Sequence, residues 1–431
     1  MKKKYLILLV LSIVTILLFL NVSKVRSLLA MYLTANQKNV IKEIVFGKGT
    51  ADRINLYRKQ DKLNYNQVFL PSTQFINLDF KNIILKDLNL TEEVSWNKTK
   101  AYQFHMEQFK DELIIIDSKG KVFFINKKFI IDSNNFEWNE IKSNLNIENI
   151  NVKDLLVVDS DIYVSYKAGP KECETMNISK AEIKSDNLFF ELFFNSEECG
   201  DFNAGRMVQY EHDGKKGMLF STDTDMDNKE LAQDDNSVYG KILFIDFENK
   251  DYFNFSKGHR TTQGLLAEKN LIISAEHGPR GGDEINLIKF GQNYGWPIAS
   301  YGEPYFKEKK SLKIYHYLKN HEEYGFIEPV YSWVPSIGMS QIIRVPNDFS
   351  KLWQNNFLVT SLAGKSIYRL LLDKNHEKLI YQEKIYIGKR IRDVIYIKEF
   401  NAILLALEGE ETSKVSDKYP AVGILKEIPK K

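Results

Sequence analysis

Short apolar runs, each closed by Asp, Asn, Gly or Lys, recur from about residue 100 to the end of the chain, with no long helical periodicity between them. Glu112-Leu-Ile-Ile-Ile-Asp117, Lys241-Ile-Leu-Phe-Ile-Asp246, Asn270-Leu-Ile-Ile-Ser274 and Ala402-Ile-Leu-Leu-Ala-Leu407 are of this kind. Runs of that length bounded by turn formers are strands, so the pattern is all-β. Comparable strand-turn-strand units begin near residues 103, 154, 206, 263, 338 and 392, about fifty residues apart with one longer gap. Four short strands and their turns need about that length, which is one blade of a radial array. Six units predict a six-bladed β-propeller over 96–431. A two-sheet sandwich array would also supply strands, but it does not demand a common period. Residues 31–95 fit the repeat poorly and are read as a stalk and added segment.

The first residues decide the compartment. Lys2, Lys3 and Lys4 precede a run from Tyr5 to Leu20 that is apolar except for Ser12 and Thr15. Eighteen helical residues reach roughly 27 Å, close to the hydrocarbon thickness of a bilayer. The basic flank keeps the N-terminus cytoplasmic and sends the rest outside. A cleaved signal would look similar, but no clean small-x-small site follows. Residues 1–30 are therefore read as an N-terminal membrane anchor, with a cleaved signal segment as the alternative, and the propeller on the periplasmic or extracellular side of the cell membrane. Export permits a bridge between Cys173 and Cys199, the two cysteines, although two separate buried thiols are equally compatible with the sequence.

Composition narrows the function classes. With 43% hydrophobic and 13% aromatic residues the chain is too apolar to be an unfolded polyelectrolyte. Its 59 basic and 57 acidic side chains leave a net charge of +2, so no overall field attracts nucleic acid. Two cysteines exclude a thiolate zinc cluster.

Polar chemistry concentrates between residues 258 and 305. The strings are Gly258-His-Arg-Thr-Thr-Gln-Gly264, Ala275-Glu-His-Gly-Pro-Arg-Gly-Gly-Asp-Glu-Ile-Asn286 and Gly291-Gln-Asn-Tyr-Gly-Trp-Pro297. Glycines let backbone approach a ligand closely, and carbonyls beside Gly278-Pro279 are hard donors suited to calcium. Taken alone, such a loop is as compatible with a plain turn. Downstream come Trp333-Val-Pro-Ser-Ile337, Thr360-Ser-Leu-Ala-Gly-Lys365 and Lys389-Arg-Ile-Arg-Asp-Val394; upstream are Ile162-Tyr-Val-Ser-Tyr166, Gly205-Arg206 and Tyr239-Gly-Lys-Ile242. In this order, over roughly residues 100 to 430, the strings resemble the glucose/sorbosone dehydrogenase family, the soluble aldose sugar dehydrogenases that use pyrroloquinoline quinone (PQQ) and are six-bladed propellers.

The resemblance implies a site. PQQ would lie over the central channel, with calcium polarising its quinone carbonyls. Arg260, Arg390 and Arg392 would hold its carboxylates, for which planar guanidinium forks are well suited. Arg390 and Arg392 are two apart on a strand and so face one side. Thr261, at the family's Asn position, Tyr305 and Ala363 would also contact the cofactor. Carbonyls of Gly278 and Pro279 would bind its calcium, with Glu284 and the carbonyl of Tyr294 at a second calcium site. Trp296 and Trp333 are read as core packing. The implied reaction takes an aldose, the small-molecule sugar substrate, to the lactone and passes electrons onward.

Three departures bear on activity. The family's catalytic His lies three residues before Gly-Arg, a position held here by Phe202, which accepts no proton; no catalytic residue is assigned, although Asp201 is adjacent. Thr261 replaces Asn, and the family's Gln-Gly-Gly loop appears as Asn149-Ile-Asn151. Losing a general base costs about 10²- to 10⁴-fold in rate. The alternative is a weak or inactive propeller that binds a ligand or a protein. Asp223, Asp225, Asp227 and Asp234 alternate as in an EF-hand, but Asn228 stands where glycine is needed, so they are read as an acidic loop.

Overall fold

The computed structural model describes residues 37, 40, 73, 76–94, 100–132, 137–184, 187–304, 317–410 and 418–428. The anchor expected over 1–30 lies outside them, and among the described residues no helix is long and apolar enough to cross a membrane. The chain divides into Met1–Phe69 and Leu70–Lys431, and every described strand lies in the second unit.

Six sheets form a ring, confirming the six-bladed propeller. Their innermost strands are Phe104–Phe109, Asn151–Val158, Met207–His212, Thr261–Glu268, Met339–Arg344 and Ile391–Ile397, blades 1 to 6. Each inner strand lies beside the next, and the sixth lies beside the first. From each, three further antiparallel strands run outward. Blade 1 gains a fifth strand, Asn187–Leu188, paired in parallel with Trp138–Ser143. Blade 6 takes its outermost strand, Asn77–Ile84, from the segment the sequence sets apart as a stalk, paired along Ala421–Ile428. The ring is thus closed by joining the two ends of the unit in one sheet. A three-stranded rim element joins Glu93–Val94, Lys100–Tyr102 and Gly409–Glu410.

Packing between blades explains the apolar runs. Ile114 and Ile116 pack with Val152, Val164 and Tyr166 of blade 2, whereas Leu113 and Ile115, on the other face, pack with Leu404 and Ala406 of blade 6. A strand buried on both faces has no solvent side, so it reads as unbroken Leu and Ile rather than as alternation. Four inner hairpins turn in two residues, at Lys110-Asp111, Asp159-Ser160, Asp213-Gly214 and Lys269-Asn270, with φ between +48° and +54° at the first. That positive φ matches the twist of paired strands, and only one turn meets it with the favourable Asp-Gly pair.

One side chain ties the ring together at its centre. Arg206, at the start of blade 3 and 2% exposed, donates from Nε to the carbonyl of Gln263 (2.7 Å) in blade 4 and from Nη2 to the carbonyls of Ser340 (2.9 Å) in blade 5 and Arg392 (2.8 Å) in blade 6. Its Nη1 donates to Asp154 Oδ1 of blade 2 (2.7 Å) and Asp393 Oδ1 of blade 6 (3.2 Å), and lies 3.4 Å from His105 Nδ1 of blade 1. The carboxylates return the contact to backbone, Asp154 accepting from Met207 N and Asp393 from Met106 N. His105, Asp154 and Asp393 have the spacing of a metal cluster, but the guanidinium is already their cation. Cys173 and Cys199 are bridged, with Cα atoms 4.7 Å apart.

Candidate functional site

A cavity of about 620 Å³ lies beside this hub, reached by side chains of residues that also serve it: Gln263 and Arg392 give their carbonyls to Arg206 and their side chains to the cavity wall. Inner strands alternate, so every second residue near the start of a blade turns to the opening. Asn151 with Lys153, Thr261 with Gln263, and Arg390 with Arg392 are such pairs, and all six line the cavity.

Of the residues expected from the sequence, Arg260, Thr261, Gly278, Pro279, Ala363, Arg390 and Arg392 are brought together on this one wall. Arg390 Nε donates to Glu408 Oε2 at 2.6 Å, and Arg392 Nε donates to Glu408 Oε1 at 2.7 Å, so one buried carboxylate spans both forks. Burial alone would raise the Glu408 carboxyl, but Arg392 and Arg390 pull it below the usual carboxylate range. Arg260 stacks over Trp296 and donates from Nη1 to the His277 carbonyl at 3.0 Å, while its buried Nε–H has no partner among the described residues. Thr261 Oγ1 donates to Asp223 Oδ1 at 2.6 Å, and Asp223 also accepts from Asn203 N at 2.8 Å; burial pushes this carboxyl upward. Asp223 thus turns into the cavity, while Asp225 and Asp234 accept from the backbone of their own turns, at Asp227 and Asn236, as expected of an acidic loop.

The Gly278-Pro279 turn is fixed by Asp283, which accepts from Gly278 N (3.0 Å), Ile337 N (2.9 Å) and Gly338 N (2.6 Å). A Cβ on Gly278 would stand 2.0 Å from the Gly282 carbonyl oxygen, so only glycine fits there. Glu284 and Tyr294 are not in the large cavity. They line an adjoining recess of about 10 Å³, room for one water or ion, which shares Arg260, His277 and Gly278 with it. Burial, then the charge of Glu276, pushes the Glu284 carboxyl well up. Tyr305 lies outside the described residues. Trp296 and Trp333 are both buried and neither lines the large cavity, but Trp296 borders the recess.

Phe202 is fully buried and stacks on Tyr239 with ring centroids 4.7 Å apart and planes 2° apart, away from the cavity wall. Asp201 does not reach the wall either; it is mostly exposed and pairs with Lys167 at 2.8 Å. The wall also carries Asp283, a carboxylate of the Gly-rich string, and groups that the sequence did not single out: Glu93, Lys153, Asn203, Glu408 and Glu410. Lys153 was legible as a charged residue alternating with Asn151 on a buried inner strand. Glu93, Glu408 and Glu410 were not, because the rim element that presents Glu93 and Glu410 pairs segments far apart in sequence.

The sequence model of the family described as "Glucose / Sorbosone dehydrogenase" matches residues 106–415. Aldose sugar dehydrogenase YliI of Escherichia coli is 31% identical over 214 residues, 45% of this chain and 54% of that one. Quinoprotein glucose dehydrogenase B of Acinetobacter calcoaceticus is 26% identical over 232 residues, 40% and 48% of the two chains. The chain spans about half the length of these curated relatives. The PQQ-bound aldose sugar dehydrogenase of Streptomyces coelicolor shares the fold, with a TM-score of 0.57 at 17% identity over 83% of this chain and 100% of that one.

Proposed function

The chain belongs to the glucose/sorbosone dehydrogenase family, and from that premise we propose that it is an oxidoreductase that binds PQQ and calcium in the axial cavity and oxidises an aldose at its anomeric hydroxyl to the lactone. One observation carries this: Arg260, Arg390 and Arg392, contributed by blades 4 and 6, converge on a single cavity of about 620 Å³ together with the Gly278-Pro279 turn. The residues present fit the group. Arg260 keeps a buried Nε–H without an acceptor among the described residues, which an anionic ligand would supply. The recess beside Glu284 is the size of an ion, and a cation there would draw that carboxyl back to its charged form.

In this reading Arg260, Arg390 and Arg392 hold the carboxylates, and the Gly278 and Pro279 carbonyls hold the cofactor's calcium. Glu284 and the Tyr294 carbonyl hold a second ion. Thr261 and Ala363 flank the bound group, as does Tyr305. PQQ supplies a two-electron acceptor when bound. Glu408 keeps both guanidiniums of blade 6 in place and lowers their net charge. Export of the propeller, on an anchor at 1–30, is supported by the Cys173–Cys199 bridge, which needs an oxidising compartment to persist.

A second reading, a propeller that binds ligand without turnover, is favoured by the burial of Phe202 against Tyr239 where the family's histidine is expected. Titrating the purified full chain with PQQ in the presence of calcium, then offering aldoses with a redox dye, separates them. Binding followed by dye reduction is expected. Binding without dye reduction selects the second reading, and no PQQ binding overturns the first.

A further inference from the structure

Oxidation of a hydroxyl needs a group to take its proton, and Phe202 removes the one expected. We propose that Lys153 is that proton acceptor, an assignment that rests on the oxidoreductase reading of the cavity. Lys153 and Asn151 turn to the cavity from the inner strand of blade 2. Its stem lies on the loop that carries Phe202: a Cβ built on Gly205 would stand 2.6 Å from Lys153 Cβ and 3.2 Å from its Cγ. Lys153 therefore joins the cavity wall from beside the segment where the lost base belongs, with Asn203 on the same wall. Among the described residues its Nζ has no hydrogen bond or ion pair.

The titratable and charged groups facing it come from five sides: Lys167 on the adjacent strand, Glu93 on the rim element, Asp223 and Asp201 on the loops of blade 3, Arg392 on blade 6 and His105 on blade 1. Burial first, then Lys167, brings the amine down to about 8, with Glu93 and Asp223 opposing and Arg392 assisting. Such an amine is substantially neutral at mildly alkaline pH, where an ordinary lysine is not. Other bases are engaged. Asp201 is held by Lys167, and His277 donates its Nε2–H to the Met339 carbonyl beside the Gly278 turn. In the step assigned here the anomeric O–H breaks and its proton goes to Lys153 Nζ. PQQ, when bound, would supply the acceptor for the C–H hydrogen and its electron pair, which leaves the C–O bond as the lactone carbonyl.

Two measurements on the full chain test this. In the apoprotein, acetylation of individual lysines followed by peptide mass spectrometry from pH 6.5 to 10.5 should give Lys153 a midpoint near 8. A midpoint above 10, or a Lys153 that never labels, overturns the assignment with no cofactor involved. With calcium and saturating PQQ, dye reduction should rise with pH through about 8. Lys153→Met should lose about 10²- to 10⁴-fold in kcat with PQQ affinity within about 3-fold. Lys153→His should recover part of the rate with its midpoint moved toward the histidine range. Wild-type activity matched by Lys153→Met overturns the assignment alone. A wild-type chain that binds PQQ but oxidises no aldose overturns it together with the oxidation reading.

Discussion

Replacing Arg206 by methionine should be the most damaging single substitution in the propeller. Methionine keeps most of the volume but removes five donated hydrogen bonds and the cation between two buried carboxylates. Breaking a buried ion pair by deleting one partner costs about 3–5 kcal/mol, because the remaining charge is left uncompensated. Here two carboxylates are stranded, and the carbonyls of Gln263, Ser340 and Arg392 lose their donor. The effect should depend on pH in a definite direction. Burial, eased by Arg206 and worsened by Asp393, already lifts Asp154 to about 6. A carboxyl whose folded pKa lies above its unfolded one is best tolerated when protonated, so its contribution falls as pH rises from about 4 through 6. Without the guanidinium the folded value rises further and the loss extends to higher pH. Urea denaturation of wild type and Arg206→Met at pH 5 and pH 8 should show a loss of about 4 kcal/mol or more at pH 8 and a smaller one at pH 5. Adding Asp154→Asn to Arg206→Met should restore part of the difference at pH 8. A loss below about 1 kcal/mol, or one of equal size at both pH values, would refute the hub as an electrostatic centre.

Arg260→Gln should raise the Kd for PQQ about 10- to 100-fold, the equivalent of roughly 1.5–3 kcal/mol for a charge-assisted bond, measured by calorimetry; folding should change little, since the side chain makes one backbone bond, to His277. Cys173→Ser opens a loop of 26 residues and should cost roughly 3.5 kcal/mol on the loop-entropy account, read from denaturation with and without reductant. Glu276, despite burial, is held below the usual carboxylate range by His259 and by Ser274 and Asn286, so its contribution is present above about pH 4.5 and lost as pH falls further; acid unfolding of Glu276→Gln should be correspondingly less steep. Chelating calcium should weaken PQQ binding at least about 10-fold by the same calorimetric titration.

The radial fold was legible because its cause is local. Each blade repeats the same buried strands, so inner strands expected near residues 103, 154, 206, 263, 338 and 392 begin at Phe104, Asn151, Met207, Thr261, Met339 and Ile391. Asn77–Ile84 escaped because it is an outer edge strand, where Lys81 and Asn82 interrupt the apolar pattern and only its pairing with Ala421–Ile428 gives it a place. The arginines were legible from motif and alternation. The Glu284 and Tyr294 positions were legible as a pair, but their separation into a recess of their own depends on how Gly258, Ala299 and Ser300 fold around them.

What no motif conveys is the charge of the finished cavity, because counter-charges arrive from segments that the fold alone brings near. Four cations, Lys153, Arg260, Arg390 and Arg392, face five carboxylates, Glu93, Asp223, Asp283, Glu408 and Glu410. An expectation built on arginines alone would make the wall strongly positive; the assembled wall is close to balanced. A tricarboxylate approaching such a wall gains little from long-range attraction, so its affinity must come from short, directed bonds and from any divalent cation bound first at the Gly278-Pro279 turn. Burial, not that balance, is why Lys153 rather than an arginine is the group able to lose its proton. The guanidiniums stay charged at any physiological pH, whereas an amine set among them is the one cation on the wall whose charge burial can remove.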